Sequence, residues 1–132
     1  MRYIVLGYFP EKFETMSENE RNAMFDDCFT YDDELRKNGH WAAGEAIQPA
    51  NTAMTVYWKN GKVAVTDGPY VETKEQLGGI LLLEARDLNH VIQLISEHPA
   101  VRYGTPFEIR PVADMNGMMK ESEQRRRKDT AR

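Results

Sequence analysis

The chain has 132 residues and a mass of 15.2 kDa, which is the size of one domain and leaves no room for a second hydrophobic core. Its 41% hydrophobic and 29% charged residues are typical of a globular protein and exclude the disordered, fibrous and membrane-spanning classes. A single cysteine, Cys28, excludes an intrachain disulfide and a zinc site built on paired thiolates.

The formal net charge of −4 is unevenly distributed along the chain. Residues 114–132 contain six basic and four acidic side chains, so this segment carries +2 and the preceding body −6. Because an acidic body repels phosphate groups, we expect no nucleic-acid binding through the folded part. We expect a domain over 1–113 and a charged C-terminal tail over 114–132 that is flexible or partly helical. The apolar start of the chain lacks a basic leader and a small-residue cleavage site, which favours a cytoplasmic protein without a membrane anchor.

The first third of the chain predicts a strand, a helix and a second strand. Residues 2–9 are apolar on both alternating faces, which indicates a strand covered on both sides. Ser17 and Glu20 match a capping box, so a helix begins there and runs until Asn38-Gly39 ends it. Its inner stripe is Met24, Cys28, Tyr31 and Leu35, with Phe25, Phe29 and Asp32 beside it. Residues 40–47 predict the second strand.

The clearest local signal is an Asn60-Gly61 pair between two alternating runs in residues 54–66. Such a pair favours a type I′ hairpin turn, in which both central residues have positive φ. One face of the hairpin then carries the opposed pairs Met54 and Asp67, Val56 and Val65, and Trp58 and Val63. If this apolar face is buried, the carboxylate of Asp67 lies at the mouth of a cavity.

The second half of the chain completes an α+β fold. Residues 80–85 are apolar without alternation, which is typical of a central strand, and a helix capped by Asp87 runs to His98-Pro99. Residues 107–112 predict the last strand. Without the inserted β-hairpin the order is βαββαβ, so we predict a ferredoxin-like fold with both helices on one face of an antiparallel sheet. The other face is apolar, which predicts a symmetric homodimer whose sheets pack face to face, or an equivalent cover by the inserted hairpin.

A long segment, Gly61 to Gly79, resembles the signature of the DGPF family, a branch of the YCII-related proteins. The family's usual Phe in this motif is Tyr70 here. The match extends over roughly residues 2–113, through Gly44-Glu45, Gln48-Pro49, Glu84–Leu88, Pro99-Ala100, Tyr103-Gly104 and Ile109–Val112. The resemblance implies a dimeric α/β-barrel of ferredoxin-like subunits.

The same resemblance implies no settled activity. The wider superfamily includes isomerases and lyases that act on small ring acids, and DGPF genes often lie beside those of extracytoplasmic-function sigma factors. YCII-type relatives pair a helix-one His with an Asp as an acid–base dyad. The position of that His, eleven residues before the helix-ending glycine, is Cys28 in this sequence.

Two residues are predicted to be catalytic. Asp67 is the candidate base, because register and resemblance together place it at a cavity mouth; a turn-forming Asp that caps backbone donors is the other interpretation. His40 would replace the missing helical His, or it is a surface residue at a helix end. Lys74, in the charged loop that follows the motif, would bind a substrate carboxylate, or it belongs to a solvated connection.

The expected cavity is lined by Tyr57, Trp58 and Tyr70 and rimmed by Glu45. Arg110 would contact an anionic ligand or form a salt bridge at the strand end. We expect no cofactor, and no metal ion because His90 and His98 lie eight residues apart without a carboxylate at ligand spacing.

The leading hypothesis is a cofactor-independent enzyme of the lyase or isomerase type that abstracts a proton from a small organic acid or ring compound. The alternative is a non-catalytic small-molecule-binding or regulatory module linked to sigma-factor-dependent transcription. The absence of a His at position 28 favours this alternative.

Overall fold

The computed structural model describes residues 1–71 and 76–130. The strands are β1 (Arg2–Tyr8), β2 (Trp41–Ala46), β3 (Met54–Lys59), β4 (Lys62–Asp67), β5 (Leu77–Glu84) and β6 (Phe107–Pro111). The α-helices are α1 (Glu18–Lys37), α2 (Leu88–Ser96), α3 (Pro99–Arg102) and α4 (Met115–Thr130).

Four of the strands form an antiparallel sheet in the order β2-β5-β1-β6, and β3 and β4 form a separate hairpin. With the hairpin set aside, this is the strand order of a ferredoxin-like fold. The predicted α+β class and the inserted hairpin are therefore confirmed. Strand β5 begins at Leu77, three residues before the predicted start at Ile80, so Gly78 and Gly79 belong to the strand rather than preceding it.

The predicted helix ends agree with the local hydrogen bonds. At the start of α1, Oγ of Ser17 accepts the backbone N–H of Glu20 at 3.1 Å, and at its end Gly39 adopts a φ of +78°. At the start of α2, Oδ1 of Asp87 accepts the backbone N–H of His90 at 2.8 Å. These caps satisfy backbone groups that a helix end otherwise leaves without partners.

The hydrophobic core lies on the face of the sheet that the helices cover. Along β1, Tyr3 and Val5 are buried, whereas Ile4 between them is 37% exposed. The core cluster consists of Tyr3, Val5, Leu35, Leu83, Ala85, Val91 and Ile95. Because this core contains residues of both α1 and α2, these helices lie on the inner face, and the outer face with Ile4 and its register neighbour Leu82 lies opposite them, as the sequence predicted.

The hairpin has the predicted register, with Met54 opposite Asp67 and Trp58 opposite Val63. Asn60 and Gly61 both have positive φ, as a type I′ turn requires. The face of the hairpin that we call the hairpin face is nevertheless exposed; it consists of Met54, Val56, Trp58, Val63 and Val65. The condition that would place Asp67 at the mouth of a cavity, burial of this face, is not met within the single chain, where the hairpin is separate from the four-stranded sheet.

Residues 115–130 of the charged tail form α4, in which no described residue is buried. In the described ranges we find no helix with both the length and the apolar character needed to cross a bilayer.

Candidate functional site

A cavity of about 270 Å³ opens between α1 and the helix-covered face of the sheet. We call it the helix–sheet cavity. Most of its wall is apolar or aromatic, and includes Tyr8, Phe9, Met24, Phe25, Phe29 and Phe107. A cavity of this kind accommodates a small, largely apolar ligand.

Glycines in the sheet create the space for this cavity. Gly7 of β1 pairs with Gly79 of β5, so the two central strands of the sheet have no inward side chain at this position. A methyl group on Gly7 would lie 2.8 Å from Cε1 of Phe107, and one on Gly44 would lie 2.4 Å from the indole of Trp41. The rings of Phe107 and Trp41 therefore occupy the space that a side chain at Gly7 or Gly44 would need, and both rings form part of the cavity wall.

Asp32 and His98 form a buried pair at the cavity wall. Asp32 lies on the inner side of α1, and His98 lies between α2 and α3. Nε2 of His98 is 3.0 Å from Oδ1 of Asp32, and the two residues are only 5% and 7% exposed. A buried charged group needs a hydrogen-bonding partner, and each residue of this pair provides one for the other.

Further contacts determine the orientation of the His98 ring. Its Nδ1 accepts the backbone N–H of Ala100 at 3.2 Å and thereby caps α3. The hydrogen-bond network thus assigns the proton to Nε2, which donates to Asp32. The rings of Tyr31 and Phe107 pack against the imidazole at centroid distances of 5.3 and 5.2 Å. Both ring nitrogens are occupied, so His98 holds Asp32 in position and has no ring nitrogen left for a ligand.

The second carboxylate oxygen of Asp32 is the polar atom available to a ligand. Within the described residues, Oδ1 has a partner in His98, and every buried side-chain nitrogen or oxygen has a hydrogen-bond partner. No such bond is found for Oδ2 within these residues, and Asp32 is one of the residues that line the cavity. A carboxylate in a mainly apolar cavity, held by a buried imidazole, has the geometry of a general base.

Cys28 lies one helical turn before Asp32 and lines the same cavity. Burial, together with the carboxylates of Asp32 and Asp27, raises the pKa of the Cys28 thiol to about 11. The thiol is therefore protonated at neutral pH and is a poor nucleophile. At the position where the family pattern has a His, this chain has an uncharged small side chain.

The hairpin residues predicted to line a cavity do not do so within the single chain. Trp58 and Tyr70 are 70% and 82% exposed, and Asp67 is exposed at the end of β4. Tyr57 lies on the opposite side of β3 from Trp58 and is half-buried. These residues share a hairpin that is separate from the sheet, so they do not form the expected cavity. Their predicted roles stay predictions.

The other predicted residues are dispersed. Glu45 lines the helix–sheet cavity as part of β2. Nδ1 of His40 lies 3.0 Å from the carbonyl oxygen of Glu84, and the His40 ring packs against His90 away from the cavity. Arg110 pairs with Ile4 on the outer face of the sheet and forms a 2.6 Å ion pair with Glu108. Lys74 lies outside the described residues.

Sequence reasoning did not find the Asp32–His98 pair, although signals for both residues were present. Asp32 lies beside the apolar stripe of α1, where a carboxylate requires a partner. His98 precedes Pro99 between two helical segments, a position that fixes a side chain as a helix cap. The distance between them along the chain is 66 residues, and no local pattern connects them.

A second depression, of about 700 Å³, lies beside the signature motif, with Gly68, Pro69 and Val71 in its wall. Asp67 and Tyr70 are not among its described lining residues. As for metals, the part of the chain that the structure describes contains no cluster of three or more His, Cys, Asp or Glu side chains able to hold an ion.

Comparisons with known proteins agree with this architecture. The model of the YCII-related domain matches residues 1–116. An uncharacterized protein from Rhizobium meliloti (strain 1021) is 28% identical over 115 residues, which covers 86% of this chain and 93% of the relative.

Among solved structures, the chain is similar to 5-chloro-2-hydroxyhydroquinone dehydrochlorinase from Burkholderia phenoliruptrix AC1100, in complex with 2,5-dihydroxybenzoquinone. The TM-score is 0.50 at 13% identity, and the match covers 86% of this chain and 94% of the neighbour. At this level of identity the similarity shows the fold alone.

Proposed function

The chain belongs to the YCII-related family, and from this membership and the buried Asp32–His98 pair we propose that it is a small-molecule enzyme that transfers protons without a cofactor. The observation that carries the proposal is a carboxylate on the wall of a mainly apolar cavity, with one of its oxygens held by a buried imidazole. Fold alone does not indicate activity, so the argument rests on this site.

In the proposed reaction, Asp32 is the general base. Its Oδ2 removes a proton from an acidic C–H or O–H group of the substrate, and the electron pair stays on the substrate. In a lyase reaction that pair expels a leaving group from a neighbouring atom, whereas in an isomerase reaction the proton returns to a different atom. His98 is a positioning residue, because its Nε2–H donates to Oδ1 and holds the carboxylate in place.

The cavity size favours a substrate with one ring or a short acid. A cavity of roughly 150 Å³ accepts benzene, and the helix–sheet cavity is about 270 Å³. The structural neighbour is named a dehydrochlorinase and was solved with a benzoquinone. This supports a lyase-type reaction on a small ring compound for the present chain.

We also propose a homodimer. The hairpin face exposes Val56, Trp58 and Val65 by more than half, and the outer face of the sheet has no helix over it. Exposed apolar surfaces of this extent mark interaction sites, and a symmetric pair of copies would cover both of them. Asp67 lies opposite Met54 at the end of the hairpin face, so it is the competing candidate base if a partner covers that face.

Turnover assays with matched variants test the proposed base. The lead substrate is 5-chloro-2-hydroxyhydroquinone, with chloride release as the readout, followed by small ring ketones and unsaturated acids incubated in D₂O and analysed by mass spectrometry. We expect Asp32→Asn to lower the rate by roughly 10² to 10⁴-fold. Asp26→Asn is the matched control, because it makes the same change at an exposed position of α1.

The outcomes of this assay distinguish Asp32 from Asp67 as the base, and an enzyme from a binding module. Retained turnover in Asp32→Asn would refute the assignment of Asp32. Loss of turnover in Asp67→Asn, with Asp32→Asn unaffected, would assign the reaction to the predicted base Asp67. A protein that binds the tested compounds but converts none of them would support the alternative of a non-catalytic binding module.

A further inference from the structure

Arg36 is a charged residue of the helix–sheet cavity that the proposed reaction does not use. It follows Asp32 by four residues on α1, so the two side chains lie on the same helix face, about 6 Å apart along the helix axis. Cys28, Asp32 and Arg36 thus form one line along the cavity wall. A ligand beside this line would contact the base with one end and the guanidinium with the other.

The guanidinium of Arg36 is held in place by an aromatic ring. Its Cζ lies 4.3 Å from the ring centroid of Trp41, which is a cation–π distance. The indole of Trp41 in turn lies across Gly44, where any side chain would come within 2.4 Å of Cη2 and Cζ2. This contact joins α1 to β2 and places the half-exposed guanidinium of Arg36 at the edge of the cavity.

Stacking occupies the face of the guanidinium and leaves its in-plane N–H groups for hydrogen bonds. In the described residues, Nη1 donates to Oδ1 of Asp33 at 2.6 Å, and no other bond of the group is found. That ion pair is exposed, with side-chain exposures of 49% and 67%, and pairs of this kind contribute little to stability. A planar fork of free N–H donors matches a carboxylate or another planar anion.

The charges around the cavity favour an anion near Arg36. The charged side chains among its described lining residues are Asp32, Arg36 and Glu45, together with the imidazole of His98. Glu45 pairs with Ile80, which alternates with the inward Leu81, so its carboxylate belongs to the outer face of the sheet. Arg36 is then the positive group that compensates a second negative charge in a cavity that already contains Asp32.

We propose that Arg36, stacked on Trp41, is the specificity-determining residue of this site, and that the substrate is a planar ring compound with one anionic group. In this substrate the distance between the anionic group and the acidic hydrogen matches the spacing of Arg36 and Asp32 along α1. Binding of the anionic group at Arg36 therefore presents this hydrogen to Asp32. This inference rests on the proposed function, because it needs a ligand in the same cavity.

Calorimetric titration of the full chain with salicylate and with the uncharged isostere salicylamide tests the inference. Wild-type protein is expected to bind salicylate at least roughly tenfold more tightly, because a charge-assisted bond to the guanidinium replaces a neutral one. Arg36→Gln is expected to abolish this preference and to leave salicylamide affinity unchanged. Lys37→Gln is the matched control, since it removes a neighbouring exposed cation, and it is expected to preserve the preference.

Protection of Cys28 from alkylation locates the bound probe, because Cys28 is the single cysteine and lines the cavity. Three results would overturn the inference: equal affinity of the wild-type protein for the two probes, no binding of salicylate, or a preference for salicylate that survives in Arg36→Gln. Salicylamide that protects Cys28, with turnover dependent on Asp32 but not on Arg36, would refute the anion preference alone. Probes that bind without protecting Cys28 would refute both the anion site and the catalytic cavity.

Discussion

Nε2 of His98 lies 3.0 Å from Oδ1 of Asp32, although the two residues are separated by 66 positions and come from different helical segments. Their side chains are 5% and 10% exposed. This contact joins α1 to the α2–α3 junction and gives the helix–sheet cavity its acid–base group. It also makes each residue dependent on the other, because a buried charge without its partner is strongly destabilising.

His98→Leu is therefore expected to lower the free energy of unfolding by about 3 to 5 kcal/mol, because it leaves the carboxylate of Asp32 buried and unpaired. The double variant Asp32→Leu with His98→Leu should lose clearly less than the sum of the two single losses. Urea denaturation at pH 7 measures the free energy of unfolding of the two single variants and of the double variant. His90→Leu is the control, since His90 is less buried and lies outside the pair; additive losses would contradict the coupling.

Alkylation of Cys28 by iodoacetamide is expected to be slow at pH 8 and to accelerate with a midpoint near pH 11, where the folded thiol ionises. The unfolded chain should react with a midpoint near pH 9, the ordinary value. Since the folded pKa is the higher one, this group's contribution to stability is complete below pH 9 and is lost as the pH rises towards 11. Cys28→Ser should remove this part of the alkaline stability loss, and a folded midpoint near 9 would contradict the prediction.

Gly44→Ala is expected to cost about 1 to 3 kcal/mol, because its methyl group would overlap the indole of Trp41 and force the ring to move. Urea denaturation and the near-ultraviolet circular dichroism of tryptophan measure the two effects. Combining Gly44→Ala with Trp41→Phe removes the overlapping ring atoms and should recover part of the loss. Ala43→Ser, at an exposed neighbouring position of β2, is the control and should change little.

Trp58→Glu is expected to weaken the proposed homodimer by roughly 30-fold or more, because a large aromatic side chain at the centre of an interface typically contributes 2 kcal/mol or more. Sedimentation analysis over a range of concentrations gives the dissociation constant. Thr66→Glu introduces the same charge on the opposite side of the hairpin and should leave association unchanged. A wild-type chain that sediments as a monomer would refute the dimer itself.

The local features of the fold were predictable because short segments determine them. Ser17 and Glu20 predicted the start of α1, and Asn60-Gly61 predicted the hairpin and its register, since both depend on hydrogen bonds and φ values of neighbouring residues. The alternation of Tyr3, Ile4 and Val5 indicated a strand, and element order then predicted the ferredoxin-like sheet. The same patterns did not show that the hairpin face would be exposed in the single chain.

The cavity and its acid–base pair depended on contacts between distant segments. Asp32 is a helix residue beside an apolar stripe and His98 a residue before a proline, and neither pattern specifies the other. The cavity forms because Gly7 and Gly79 meet across two strands beneath α1, a coincidence of register that single segments do not encode. The sequence by itself therefore determined the elements and their order, where backbone hydrogen bonding and periodicity act locally. Only the tertiary structure decided which buried carboxylate finds an imidazole and which apolar face stays open, because burial and pairing are properties of the packed chain.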